Sequence, residues 1–174
     1  MFTEFAAWLQ TTPLSVTIQS VHWIIPLIQS IHILTIGVVF VSILMIALRV
    51  LGLALGDYPF TEVYGRFAPW IWTGLVVMFV TGLTLVIGEP IREFTATSFW
   101  VKMTLLIVCV VSGAAFGRSV RPPKLAAGAE PVFSSGLKSA TVVVLLLWVA
   151  IIFLGRAIAY DVEVWESLSF SAGT

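Results

Sequence analysis

The chain has 174 residues, 59% of them hydrophobic and only 10% charged, with a mean hydropathy of +1.07. That composition excludes an ordinary soluble domain and places the chain among integral membrane proteins. A formal net charge of zero, with no basic stripe interleaved with aromatics, argues against nucleic-acid binding.

At the N-terminus Glu4 stands where a cleavable signal would carry basic residues, and no small-residue cleavage site follows, so no such signal is expected. Thr12 followed by Pro13 is a helix start, a capping hydroxyl and then a residue suited to the first helical position. Leu14, Ile18, Val21 and Ile25 then share one face while Ser15, Gln19 and His22 share another. The pattern predicts an amphipathic helix lying in the membrane plane. Pro26 lacks a backbone donor and is the expected point at which the chain turns into the membrane.

Four apolar runs follow, at roughly 24–50, 68–88, 98–117 and 137–159. Each approaches the ~20 residues that an α-helix needs to cross a ~30 Å hydrocarbon core. The connection around Asp57-Tyr58-Pro59 holds a short stretch resembling one or two helical turns. Glu89-Pro90 breaks the second span, and Thr97 or Ser98 is placed to cap the third. Residues 118–136, with Pro122, Pro123, Gly128 and Pro131, are expected to form an irregular loop. The acidic segment from Asp161 to Glu166 is expected to run as a final half-turn along the outer surface. Trp23, Trp70, Trp100 and Trp165 fall near span ends, as in an aromatic belt.

These spans leave no room for a separate soluble domain, so residues 1–174 read as a single transmembrane domain. The fold class is all-α: a polytopic, up-down four-helix transmembrane bundle with an N-terminal interfacial amphipathic helix. Arg49, Arg66, Arg118, Arg121, Lys124 and Lys138 lie on one side of the spans, whereas the other side is rich in acids. The bias of lysine and arginine toward the cytoplasm predicts both termini outside. Gly113-x-x-x-Gly117 permits close helix approach, either within the bundle or between copies in a homo-oligomer; packing within the bundle is the favoured reading.

Within the first span His32 is the residue that apolar patterning does not explain. An ionisable group at that depth is costly and marks a candidate site. Gln29 and Thr35 flank it at i−3 and i+3, giving a polar stripe expected to face protein or a cavity. Neutral imidazole suits haem iron, with its second nitrogen oriented by an acceptor such as a carbonyl or Gln29. The bland alternative is a histidine hydrogen-bonded across the bundle. His22 is the only other histidine, and on an unbroken helix it would lie ~15 Å from His32, reaching the same site only through a bend near Pro26. Lys102 and Arg156, with Arg92, form a ring of positive charge just outside His32, suited to haem propionates or to simple snorkelling.

Cys109 is the sole cysteine, so neither an intrachain disulfide nor a thiolate metal cluster can form. The sequence contains no GxGxxG, P-loop, HExxH, CxxC or CxxCH, and no ladder of intramembrane carboxylates, which disfavours nucleotide, protease, c-type haem and pump chemistry.

The string Trp23-x-x-Pro26-x-x-Gln29-x-x-His32-x-x-x-x-Gly37, then Leu48-Arg49-x-x-Gly52, resembles the opening of an uncharacterised family of bacterial four-span membrane proteins. Pro69-Trp70, Thr81-Gly82 and Phe99-x-x-Lys102-Met103 continue it, so that the resemblance spans residues 20–117. Gln29 departs from it where an acid is expected, and Ala47 where an aspartate is usual. More distantly the layout is similar to the copper-resistance D-type proteins and to the J-type protoporphyrinogen oxidases. In the latter a first-span histidine and a third-span lysine matter for b-type haem, which implies His32 and Lys102 here. Porphyrinogen oxidation is not implied, because the rest of that first-span motif is missing.

The sequence thus leads to a bacterial inner-membrane protein embedded in the lipid bilayer. It is expected to bind haem b near the outer face and to exchange electrons with a redox partner. His32 is the candidate axial metal ligand; His22, Gln29, Lys102 and Arg156 complete the candidate cofactor-binding set. A cofactor-free accessory subunit of a larger membrane complex is the alternative. Copper or other metal handling through His22 and His32 ranks third.

Overall fold

A computed structural model describes residues 2–120 and 131–165. Among them no strand occurs, and eight α-helices and one 3-10 turn account for the regular structure. The four long helices are α3 (Ile24–Leu51), α4 (Phe60–Gly88), α6 (Thr97–Ser119) and α7 (Ser135–Ala157). Each is long and apolar enough to cross a membrane. Their outward surfaces carry Leu34, Phe79, Leu146 and Phe153, which a water-soluble bundle would not leave exposed along its length. The protein is a multi-pass membrane protein.

The short helices α1 (Phe2–Gln10), α2 (Pro13–Ser20), α5 (Pro90–Thr95) and α8 (Asp161–Trp165) gather at one end of the bundle, with the 3-10 turn Ile158–Tyr160. This is the terminal end. The other, basic end carries the α3–α4 connection, with Arg49 and Arg66, and the start of α7. Arg121, Lys124, Pro122, Pro123 and Gly128 of the long loop, and Glu166 of the acidic segment, lie outside the described residues. The described part of that loop, residues 131–134, is irregular.

Local rules account for several helix ends. Thr12 caps α2 by accepting from the Ser15 amide, and Pro13 takes the first helical position. Ser134 caps α7 in the same way. Gly52 ends α3 at a φ of 74°, the left-handed conformation that glycine adopts without steric cost. The turn into the membrane comes at residues 21–23, not at Pro26. Pro26 lies in the first turn of α3, where a missing N–H removes no helical bond. The stretch after Pro59 is continuous with the second span, so α4 reaches 29 residues, or ~43 Å.

The α2 helix forms as expected but docks differently. Ser15, expected on the polar outer face, is 0% exposed, whereas Leu14 is 59% exposed. The Ser15 hydroxyl donates to the Ile87 carbonyl at 2.6 Å and receives Gln19 Nε2 at 2.8 Å. The last carbonyls of a helix lack intrahelical partners, so the end of α4 draws in the polar face of α2. Lipid is the natural solvent for the side that bears Leu14. The α1 helix, which the sequence reading did not foresee, packs on α5 through a T-shaped contact of Phe5 with Phe94.

In the bundle α3 packs along α4, α7 on α3, and α6 on α7. The tightest pair is α3–α4. A Cβ on Gly74 would collide with the Val39 side chain, so glycine there sets the close approach of the two backbones. Among the described residues α4 and α6 approach each other only sparsely, which leaves a seam in the ring. At the basic end Phe60, fully buried, gathers Tyr64, Phe116 and Phe133 into an aromatic floor. Gly117 lies against the Tyr64 hydroxyl, so that half of the glycine motif serves packing inside the bundle.

Candidate functional site: an intramembrane histidine

His32 sits two turns into α3 and turns its half-buried ring toward α4. Its Nδ1 lies 2.7 Å from Thr81 Oγ1, and its Cε1 would be 3.4 Å from a Cβ on Gly82. Thr81 provides the partner and Gly82 the space beside it. The Thr81 hydroxyl also lies 2.7 Å from the Val77 carbonyl, one turn back on its own helix. A hydroxyl has one proton, and a carbonyl can only accept. The network therefore assigns the proton order: Nδ1–H donates to Thr81 Oγ1, and Thr81 donates to Val77. Nε2 is left with its lone pair.

Lys102, half-buried on α6, is close enough for its charge to act on the imidazole. Its Nζ lies 5.3 Å from the Phe99 ring centroid, one turn toward the terminal end. That is the posture of a lysine carrying its ammonium out of the membrane interior along an aromatic face. Glu93 and Arg92 of α5 act in turn on Lys102. Arg92 pairs with Glu89 at 2.7 Å and approaches Glu93 at 3.5 Å.

The other candidates are not drawn into this group. His22 is exposed at the turn between α2 and α3. Gln29 is exposed in the second turn of α3, and Thr81 occupies the orienting role for which Gln29 was a candidate. Thr35 donates to the Ile31 carbonyl of its own helix. Arg156 is exposed, its guanidinium 5.6 Å from the Tyr160 ring centroid, on the outward course of a snorkelling side chain. The ring of cations thus reduces to Lys102 near the imidazole, with Arg92 and Arg156 farther out.

The start of α6 holds a feature that sequence reading missed. Neither Thr97 nor Ser98 caps it; Ala96 occupies the cap position and has no side-chain acceptor. Asp161, at the start of α8, accepts instead from the Thr97 amide at 3.0 Å and the Ser98 amide at 2.8 Å. Trp165 donates to Ser98 Oγ at 2.8 Å. A carboxylate at a helix N-terminus gains both hydrogen bonds and the favourable end of the helix dipole. Helix α8 is therefore clasped onto the start of the third span through Asp161 and Trp165.

With the histidine, its threonine and the lysine in place, comparison with known families becomes informative: residues 5–161 match the family of unknown function DUF6644. The chain belongs to that family. The resemblance noted in the sequence is thereby accounted for over most of the chain. No curated protein and no solved structure matches it. Within this DUF6644 chain, Thr81-Gly82, quoted above as part of the family pattern, lies against His32, and Lys102 of the same pattern stands on α6 beside Phe99.

The donor chemistry fits an axial ligand to haem iron. An imidazole whose Nδ1–H is held by an acceptor presents Nε2 in a fixed tautomer, as metal-bound histidines do. Lys102 fits a propionate by charge and depth. Among the described residues no three His, Cys, Asp or Glu side chains come together to hold a bare metal ion, so copper handling through His22 and His32 gains nothing from the geometry.

Proposed function

We propose that this chain is an electron-transfer protein of the bacterial inner membrane, holding a b-type haem through His32 near its outer face. The observation that carries the reading is the chain of contacts from His32 Nδ1 to Thr81 Oγ1 and on to the Val77 carbonyl, each 2.7 Å; the proton order inferred from it leaves Nε2 as the lone-pair donor. In this reading Thr81 fixes the tautomer and plane of the imidazole, Gly82 gives the ring its place against α4, and Lys102 neutralises a propionate. Bound haem would supply one-electron exchange at a potential tuned by its axial ligand and burial. The excess of lysine and arginine at the basic end supports placing that end in the cytoplasm, which puts His32 and both termini on the outer side.

Absorption spectra of the purified protein, oxidised and reduced, test this directly. A Soret band with b-type reduced maxima, lost in His32→Ala, is the expected result. Purified protein without a Soret band even after haem addition, or a His32→Ala variant with an unchanged spectrum, overturns it.

A second reading draws on the same pair. The His32–Thr81 hydrogen bond by itself joins α3 to α4, which would suit a cofactor-free accessory subunit of a larger complex. Fixed partners co-purifying from native membranes without a chromophore would favour it.

A further inference from the structure

The half of the bundle toward the basic end contains a cavity of about 180 Å³. All four spans wall it, with Ala68 and Trp72 of α4, Cys109 and Gly113 of α6, and Ala140 and Trp148 of α7 among its lining residues. The aromatic cluster around Phe60 lies at its basic end. The α4 and α6 backbones that form part of its wall approach each other only sparsely, and Trp72 of α4 is 41% exposed. Gly113 is the informative residue: a Cβ built there meets no atom within 4 Å.

We propose that this cavity binds one acyl chain of a phospholipid from the leaflet at the basic end, entering sideways between α4 and α6. Four observations select that occupant. The cavity lies wholly within the span depth, so hydrocarbon is what reaches it through the seam. Its lining is almost entirely apolar and carries no charged side chain, and the Thr141 hydroxyl is spent on the Leu137 carbonyl of its own helix at 2.9 Å. Its volume slightly exceeds the ~150 Å³ of an apolar cavity that stays dry and accepts benzene. That is room for a short hydrocarbon stretch and not for a ring system with its tail. Finally, alanines and glycine line it where larger residues would have filled it. A bound chain would replace the dispersion contacts that an empty apolar hollow forfeits. The site is independent of His32, which lies in the other half of α3 and does not line it.

The test uses the full chain in lipid nanodiscs doped with a phospholipid bearing a diazirine midway along one acyl chain. After irradiation, adducts are mapped by mass spectrometry. The expected result is labelling of the buried lining positions Ala47, Cys109 and Trp148 as well as the lipid-facing Phe79 and Leu83. In Gly113→Leu, interior labelling should fall about tenfold, equivalent to ~1.4 kcal/mol of lost affinity, while Phe79 and Leu83 remain labelled. Ala140→Leu provides the same reading should Gly113→Leu fail to fold, as judged by circular dichroism and gel filtration. Absence of interior adducts in the native chain overturns the proposal. So do interior adducts that persist in both filled variants.

Discussion

Between α3 and α4, Gly74 admits the Val39 side chain and Gly82 lies against the His32 ring, so two apolar helices come close enough for one hydrogen bond to join them. Between α4 and α6, Gly113 admits nothing and a cavity remains. Both contacts use small residues in apolar helices. A small residue tightens a membrane interface only when the partner helix offers a side chain to fill the space, as Val39 does; otherwise it leaves a hollow for the solvent. The comparison also separates two kinds of chemistry. Polar groups inside a membrane need partners fixed by close packing, which the α3–α4 contact provides. A soft hydrocarbon ligand needs the opposite, a loosely closed wall.

The strongest way to break this contrast is to force the tight side apart. Gly74→Leu should destabilise the protein by about 1–3 kcal/mol, the usual range for overpacking, because the added side chain meets Val39 and the α4 backbone must retreat. Thermal unfolding in detergent measures it, and a haem spectrum weakened in parallel would tie the pairing of α3 and α4 to His32.

Next in size is Asp161→Ala, which strips two amides at the start of α6 of their acceptor. A loss of about 1 kcal/mol is expected, as for other helix caps. Faster proteolysis at the terminal end, with the cavity half unchanged, would show that the two halves respond separately.

Thr81→Val keeps the shape of the side chain and removes the acceptor for Nδ1–H. Intramembrane hydrogen bonds of this kind contribute ~0.6 kcal/mol on average, so the stability change should be small. Haem affinity should fall much further, by about 10–100-fold, as when other outer partners of metal-bound histidines are lost, while Thr81→Ser retains it. Equal, small effects on both readouts would leave His32 as a helix cross-link.

The smallest change is expected on the hollow side. Gly113→Ala meets no neighbour and replaces glycine within a helix, so it should raise stability by less than about 1 kcal/mol. A marked loss would mean that the α4–α6 seam is closed more tightly than its contacts indicate.

The spans were legible because twenty consecutive apolar residues have few alternatives, and because Pro90 and Gly52 punctuate them where backbone chemistry requires. His32 stood out for the same reason: a titratable group among hydrocarbons is conspicuous. Its partner was not legible from physical pattern alone. A threonine in a span usually bonds to its own helix, as Thr35 and Thr84 do, and nothing local distinguishes Thr81 from them. The signal available was its adjacency to Gly82, which lies against the His32 ring, within a dipeptide already part of the family resemblance. Ser15 misled because amphipathic patterning assumes water on the polar side, and the end of a neighbouring helix served instead. Asp161 and the start of α6 are more than sixty residues apart, and no short-range rule connects them.

The Asp161 clasp has a consequence for how the molecule is made. Synthesis delivers the third span before the fourth, so the amides of Thr97 and Ser98 emerge without the carboxylate that later receives them. They stay without it until the fourth span has been inserted and Asp161 comes to lie beside them. The clasp thus closes only after the fourth span has been made, and a nascent chain halted before that point would carry its third span unfastened.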